Sequence, residues 1–174
     1  LVHGLQRMAW GYMKKLVVAD RLGILVRTVY GNMEVYSGMY LFIATVAYAF
    51  QLYADFSGCM DIVLGASLCF GIELPENFRA PFFSTSIGEF WRRWHISLGV
   101  WFKDYFMYPL LKSRAIQKLI KTCKTKFGAK TGKNVGTYLG LTLLWVTIGL
   151  WHGGTYKYIF ASGVIPCFYL VGSE

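Results

Sequence analysis

Carboxylates are scarce in this chain: nine Asp and Glu stand against eighteen Lys and Arg, for a formal net charge of +9. The excess does not have the form of a nucleic-acid footprint. Eight of the eighteen basic residues fall between Lys112 and Lys133, and the others flank apolar runs, so no nucleic-acid partner is expected. Cysteine is sparse too. Cys59, Cys69, Cys123 and Cys167 form no Cys-x-x-Cys pair and keep no zinc-like spacing with histidine, so no metal site is expected and no chemistry is assigned to them. There is no nucleophile-elbow pattern, which leaves a covalent serine mechanism without support. No signal-peptide pattern opens the chain. It begins on Leu1 and stops at Glu174 just after an apolar run, and the expectation is a piece of a longer multi-spanning protein.

What is abundant is apolar. The chain is 55% hydrophobic and 18% aromatic, with a mean hydropathy of +0.41, well beyond an ordinary soluble domain. The expected fold class is all-α: a polytopic transmembrane helix bundle with interfacial amphipathic and re-entrant helices, multi-pass, with the lipid bilayer as its surroundings. Five segments of one partial membrane domain follow from the pattern. Residues 1–34 read as a charged interfacial helix, because Arg7, Lys14, Lys15, Asp20, Arg21 and Arg27 interrupt it too often for a lipid-facing span. Lys14 and Lys15 are expected to snorkel. Residues 35–74 read as transmembrane and partial helices. Val35 to Ala54 lacks any charge and is long enough to cross, whereas Ile62 to Ile72 is too short to cross alone. Asp55 and Asp61, six residues apart, do not share a helix face. Asp55 is expected to cap a helix or to pair with Arg79 or an arginine of the helix that follows Ser86.

Residues 75–109 form the stretch around which the rest is organised. Leu74 to Pro81 is a loop, since each proline disfavours helical geometry in the residue before it. Glu76, Asn77 and Arg79 are expected to bond one another there. Ser86 and Glu89 form a Ser-x-x-Glu capping signal, which predicts a helix from Ser86 to just before Pro109, about 22 residues or roughly 33 Å. Projected at about 100° per residue, Glu89, Arg92, Arg93, Lys103 and Asp104 share one arc, and His95 falls on the opposite, aromatic arc beside Trp91 and Phe102. Residues 110–134 read as a basic cytoplasmic loop under the positive-inside rule. Residues 135–174 read as a transmembrane hairpin with its gap at Trp151-His152-Gly153-Gly154.

The order of these motifs carries more. Pro75-Glu76-Asn77-Phe78, then Phe90-Trp91-Arg92-Arg93-Trp94-His95-Ile96-Ser97-Leu98, then Trp101-Phe102-Lys103-Asp104-Tyr105 and finally Leu150-Trp151-His152-Gly153 resemble the membrane-bound O-acyltransferases. The likeness is nearest to the bacterial branch of alginate O-acetyltransferases and the D-alanyl transfer protein of teichoic acid synthesis. Lys14-Lys15-x-x-x-Ala19-Asp20-Arg21 extends the likeness toward the start. Gly99 departs from it where the family has serine, and Leu111-Lys112 departs where it has two glycines.

The resemblance implies His152 as the catalytic histidine, with His95 the second signature residue. Trp94, Ser97, Trp151 and Asn77 are the expected substrate-binding residues. It also implies a short acyl group, acetyl or similar, moved from a cytoplasmic thioester to a hydroxyl of an extracytoplasmic polysaccharide or cell-wall polymer. The donor, acetyl-CoA or an acyl carrier protein, would be a co-substrate, with no tightly bound cofactor. A partner extracytoplasmic acyltransferase and a location in the bacterial cytoplasmic membrane are further expectations. The alternative is a transporter or proton-relay protein using His95 and His152, since intramembrane histidines also serve those ends.

Overall fold

The computed structural model describes residues 1–172, and every regular element among them is helical. Two compact units divide the chain, Leu1–Asn77 and the residues from Phe78 onward.

In the first unit, α1 (Val2–Met13), a π-helical turn (Lys14–Ala19) and α2 (Asp20–Gly31) run as one continuous helical rod. The chain reverses over residues 32–38, where Gly38 takes a positive φ of 57°, and α3 (Met39–Cys69) returns antiparallel to the rod. Glycine sets how close the two come. A Cβ added at Gly11 would lie 2.6 Å from the Gly58 carbonyl oxygen, and one at Gly58 would lie 2.8 Å from that of Gly11. Gly4 and Gly65 face each other in the same way, each hypothetical Cβ 2.6 Å from the other's carbonyl oxygen. Backbones in such contact gain van der Waals packing that does not depend on expelling water, the form of association available to helices in lipid.

α3 departs from the sequence expectation. Val35 to Gly38 belong to the turn, and Asp55 and Asp61 lie inside one 31-residue helix of about 46 Å rather than between two shorter segments. The helix continues through both carboxylates because the rod supplies their counter-ions. Lys15 Nζ lies 2.9 Å from both Asp55 and Asp20, and Lys14 Nζ lies 2.6 Å from Asp61. Arg7 donates to Asp61 through Nε and Nη2 at 3.1 and 3.0 Å, and to the Glu76 carboxylate through Nη1 and Nη2 at 2.7 and 2.6 Å. Lys14 and Lys15 therefore pair instead of snorkelling, Asp55 pairs with Lys15 and not with an arginine, and Glu76 reaches Arg7. The pairing of Lys15 with Asp55 and then Asp20 raises its pKa, and Glu76 does the same for Arg7. Among the described residues, α3 and the later helix Ala129–Trp151 are the two long and apolar enough to cross a membrane.

The second unit opens with a 3₁₀ turn (Pro81–Phe83) and α4 (Ile87–Arg93). Ser86 caps α4 as expected, its hydroxyl accepting the Glu89 N–H at 3.1 Å. The reciprocal half of the box is shifted by one residue, since Glu89 Oε2 accepts from the N–H and hydroxyl of Thr85 at 2.8 and 2.7 Å. Those two bonds, in that order, pull the Glu89 pKa down to about 2.

The predicted unbroken helix to Pro109 is corrected at two places. α4 stops at Arg93, Trp94 is extended, His95 is left-handed with φ 45°, and α5 (Ile96–Trp101) starts afresh. The Arg93 carbonyl, which a continuing helix would bond to residue 97, accepts the Arg79 N–H at 3.0 Å instead. The single charged arc therefore does not form. Farther on, α5 passes through a π-helical turn (Phe102–Met107) into α6 (Tyr108–Leu111), so the helix runs past Pro109. A π turn shifts the hydrogen-bond register, which makes room for a residue without an N–H.

The basic segment is helical as well. α7 (Arg114–Phe127) turns at Gly128, φ 95°, into α8 (Ala129–Trp151), which starts six residues before the expected boundary at 135. Glycine again allows the close approach, because a Cβ at Gly132 would meet Lys124 Cβ at 2.7 Å. After His152 the chain folds back through α9 (Tyr156–Tyr158), a π-helical turn (Ile159–Val164) and α10 (Ile165–Gly172), with Gly149 of α8 packed on Ile159 and Gly163. Ser173, the end of the expected apolar run, lies outside the described residues. Phe102, Leu144, Trp145 and Ile148 form the core of this unit, covered by Trp91, Leu98, Phe106, Met107, Leu141, Cys167 and Leu170.

Candidate active site

Both histidines sit where a helix stops. His152 is the C-cap of α8, and Gly153 and Gly154 carry the chain away from it, Gly154 at φ 67°. The Ile148 carbonyl accepts two bonds from His152, from the backbone N–H at 3.0 Å and from ring Nδ1 at 2.8 Å. A carbonyl oxygen can only accept, so the neutral ring carries its proton on Nδ1 and keeps its Nε2 lone pair. In this tautomer Nε2 can accept a proton, and the helix's own backbone selects it.

His95 occupies the break between α4 and α5, its carbonyl accepting the Gly99 N–H at 3.2 Å to begin α5. A left-handed conformation at a non-glycine residue costs on the order of 1 kcal/mol. Such strain is a marker worth following to function, and here it turns the ring toward Trp151. The His95 and Trp151 rings meet edge-on with centroids 6.2 Å apart, and the Trp151 and His152 rings do so at 5.0 Å. Trp151 thus touches both imidazoles. Burial first, and the nearby His152 second, lower the His95 pKa below the ordinary histidine value, which favours the neutral ring.

Within this chain His95 is half-buried and His152 is exposed. The reason is local, since His152 lies at the helix end and its ring folds back onto the Ile148 carbonyl of the same helix rather than into the core.

Beside the pair lies an open groove of about 580 Å³ lined by Leu98, Trp101, Phe102, Thr147, Leu150 and Trp151. It is mainly apolar, and the Thr147 hydroxyl is turned back onto the Leu143 carbonyl at 2.8 Å. Of the expected binding residues, Trp151 forms part of this wall. Trp94 packs elsewhere, stacked on Phe90 at 5.6 Å and edge-on to Phe78 at 5.1 Å, which explains how it anchors the break. Ser97 is exposed in the first turn of α5, two residues from His95. Asn77 is buried, 4% exposed, at the end of the first unit. Sequence reasoning missed Trp101, Thr147 and Leu150. Their side chains come from two helices, and only the i, i+4 spacing of Thr147 and Trp151 hinted at a shared face.

The motif order now has an independent counterpart. The model of the membrane-bound O-acyltransferase family matches residues 22–125, a span that includes His95 and ends before His152. The chain belongs to that family. Among its relatives, a probable alginate O-acetylase of Pseudomonas syringae pv. tomato is 37% identical over 156 residues, which is 90% of this chain and 27% of the relative. A peptidoglycan O-acetyltransferase of Helicobacter pylori is 33% identical over 156 residues, 90% of this chain and 26% of the relative. A teichoic acid D-alanyltransferase of Bacillus subtilis is 36% identical over 112 residues, 64% of this chain and 26% of the relative. The chain spans about a quarter of the length of these relatives. The resemblance read from Phe90 to Tyr105 and from Leu150 to Gly153 is therefore borne out at the level of family and branch.

Proposed function

We propose that this chain carries the catalytic histidines of a multi-pass O-acyltransferase of the bacterial cytoplasmic membrane. The enzyme moves a short acyl group, acetyl or similar, from a cytoplasmic thioester to a hydroxyl of an extracytoplasmic polysaccharide or cell-wall polymer. The observation that carries this reading is the bond from His152 Nδ1 to the Ile148 carbonyl, which leaves Nε2 free to take a proton. His152 accepts the proton of the acceptor hydroxyl as its oxygen bonds to the thioester carbonyl carbon. The carbon–sulfur bond then breaks, and the proton passes from Nε2 to the departing thiolate. His95, neutral and held by its backbone break, donates a hydrogen bond to the oxygen that becomes negative during the attack. Trp151 keeps the two rings apart, and the groove it shares with Trp101 and Leu98 receives the apolar part of the donor. Ser97, Trp94 and Asn77 contribute to substrate binding, and a separate extracytoplasmic acyltransferase is the expected downstream partner.

Acyl transfer by the purified full-length protein, with thioester donors and polymer acceptors varied, tests the reading. Transfer to a hydroxyl polymer from coenzyme A or carrier-protein thioesters is expected. Proton-coupled solute flux in proteoliposomes with no acylation would favour the transport alternative.

Orientation gives a separate expectation. With the basic segment on the cytoplasmic side, α8 rises about 34 Å over its 23 residues, enough to carry His152 across a hydrocarbon core of about 30 Å. Single cysteines replacing Lys121 or Lys126, in a background without the four native cysteines, are expected to react with an impermeant thiol reagent only after the cells are opened. Reaction at both positions in intact cells would reverse the donor and acceptor sides.

A further inference from the structure

His152 stands at the end of α8, and the last turn of a helix stays closed only where something packs on it or caps it. Two contacts from the returning segment bracket this end. One turn before His152, a Cβ at Gly149 would lie 2.9 Å from Ile159 Cα and 3.3 Å from Gly163 Cα, so backbone packs on backbone. One residue after it, a Cβ at Gly153 would lie 2.7 Å from Tyr158 Cδ2 and 2.8 Å from Cε2, so the edge of an aromatic ring rests on the main chain. A ring approaches the backbone this closely only at glycine.

The ring is placed by its own turn. The Ile159 N–H donates to the Thr155 carbonyl at 3.1 Å and the Ser162 hydroxyl donates to the Tyr158 carbonyl at 2.6 Å, which fixes the Tyr158 backbone in α9. The turn it rests on is less firmly tied. The Gly153 N–H reaches the Leu150 carbonyl at 3.3 Å, beyond the usual hydrogen-bond range, and Gly154 then leads the chain off at φ 67°. Packing of the Tyr158 ring supplies what that long bond does not. Tyr158 is not among the residues that line the groove, so this contact has no part in the proposed donor site.

We propose that Tyr158 is a positioning residue for His152: its ring on Gly153 keeps the end of α8 closed, so that the His152 ring stays bonded through Nδ1 to the Ile148 carbonyl and its Nε2 stays unprotonated. The catalytic consequence rests on the reading of His152 as the general base. The tautomer itself is read without any turnover.

Kinetics of the full-length protein, with acetyl-coenzyme A as donor and alginate as acceptor, test the first half, and nitrogen NMR of its histidines in lipid tests the second. Tyr158→Ala is expected to lower kcat about tenfold to a hundredfold, the scale of a displaced catalytic group, with KM for acetyl-coenzyme A within about twofold. Tyr158→Phe should keep the wild-type kcat, since the ring edge makes the contact and the hydroxyl does not. Gly153→Ala should resemble Tyr158→Ala, and the double variant should be no worse than Tyr158→Ala alone, because both changes remove one contact. Tyr156→Ala, which takes an exposed ring from the same short helix, should be unchanged. At a pH above the imidazole titration, the His152 signal, assigned by its loss in His152→Gln, should show Nδ1 protonated in the wild type and both tautomers in Tyr158→Ala and Gly153→Ala. Wild-type tautomer populations in both variants would overturn the proposal. So would an unchanged kcat in Tyr158→Ala, equal losses in Tyr158→Phe and Tyr158→Ala, or losses that multiply in the double variant. An absence of transfer even in the wild type would count against the acyl-transfer reading, and the tautomer comparison would still decide the place of Tyr158.

Discussion

Replacing His152 with alanine is expected to lower acyl transfer by the full-length protein about 10²- to 10⁴-fold, the range general-base catalysis contributes, while the amount of inserted protein stays the same. Two magnitudes make these outcomes separable. The ring's bond to Ile148 is made within one helix end, and His152 is exposed, so its loss costs about 1 kcal/mol of stability at most. A barrier increase of about 3 to 5 kcal/mol follows from losing the base over that same range of rates. His152→Gln is the stricter comparison, because it keeps a polar side chain at the helix end without a basic imidazole nitrogen. It should be as inactive as alanine. Normal polymer acylation by either variant, at equal protein level, would remove His152 from the mechanism. His95→Ala should be impaired less, because a hydrogen bond to an oxyanion is worth about 2.7–4 kcal/mol at best and water can replace part of it.

How much of this could be read in advance differs from residue to residue. The Ser86 cap was legible because it depends on side chains within three or four positions, and the same locality makes the helix end at Trp151-His152-Gly153-Gly154 legible. The break at Trp94 and His95 was not. It turns on the Arg79 N–H reaching the Arg93 carbonyl and on Phe78 seating the Trp94 ring, contacts made by a loop whose path no helical periodicity reveals. Likewise Asp55 and Asp61 look like the end of a membrane segment until Lys14, Lys15 and Arg7 are placed beside them by another helix. The histidines themselves came from motif order, and their pairing through Trp151 came only with the fold. The groove was invisible for the same reason: Leu98, Trp101 and Phe102 supply one wall and Thr147, Leu150 and Trp151 the other.

The second large effect belongs to the first unit. Gly58→Leu is expected to destabilise the protein by at least about 3 kcal/mol, combining the overpacking cost of about 1–3 kcal/mol with damage to ion pairs that depend on the same spacing. A Cβ at this position would lie 2.8 Å from the Gly11 carbonyl oxygen and 3.1 Å from Lys14 Cβ, and the nearer atom is backbone that cannot rotate aside. The helices must therefore separate. Separation stretches the bonds of Asp61 to Lys14 and Arg7, where Asp61 is only 13% exposed, and a carboxylate there that loses its partners is costly. Gly58→Ala should show a smaller loss in the same direction. Gly31→Ala is the matched control, since nothing lies within 4 Å of its added Cβ, and it should be neutral or slightly stabilising. Thermal unfolding of the detergent-solubilised full-length protein, followed by size-exclusion peak height after heating, reads the difference. If Gly58→Leu melts with the wild type while Gly31→Ala does the same, the glycine contact does not hold the rod against α3. The charged cluster would then have to be the dominant fastening, and Arg7→Ala would become the most damaging change in this unit.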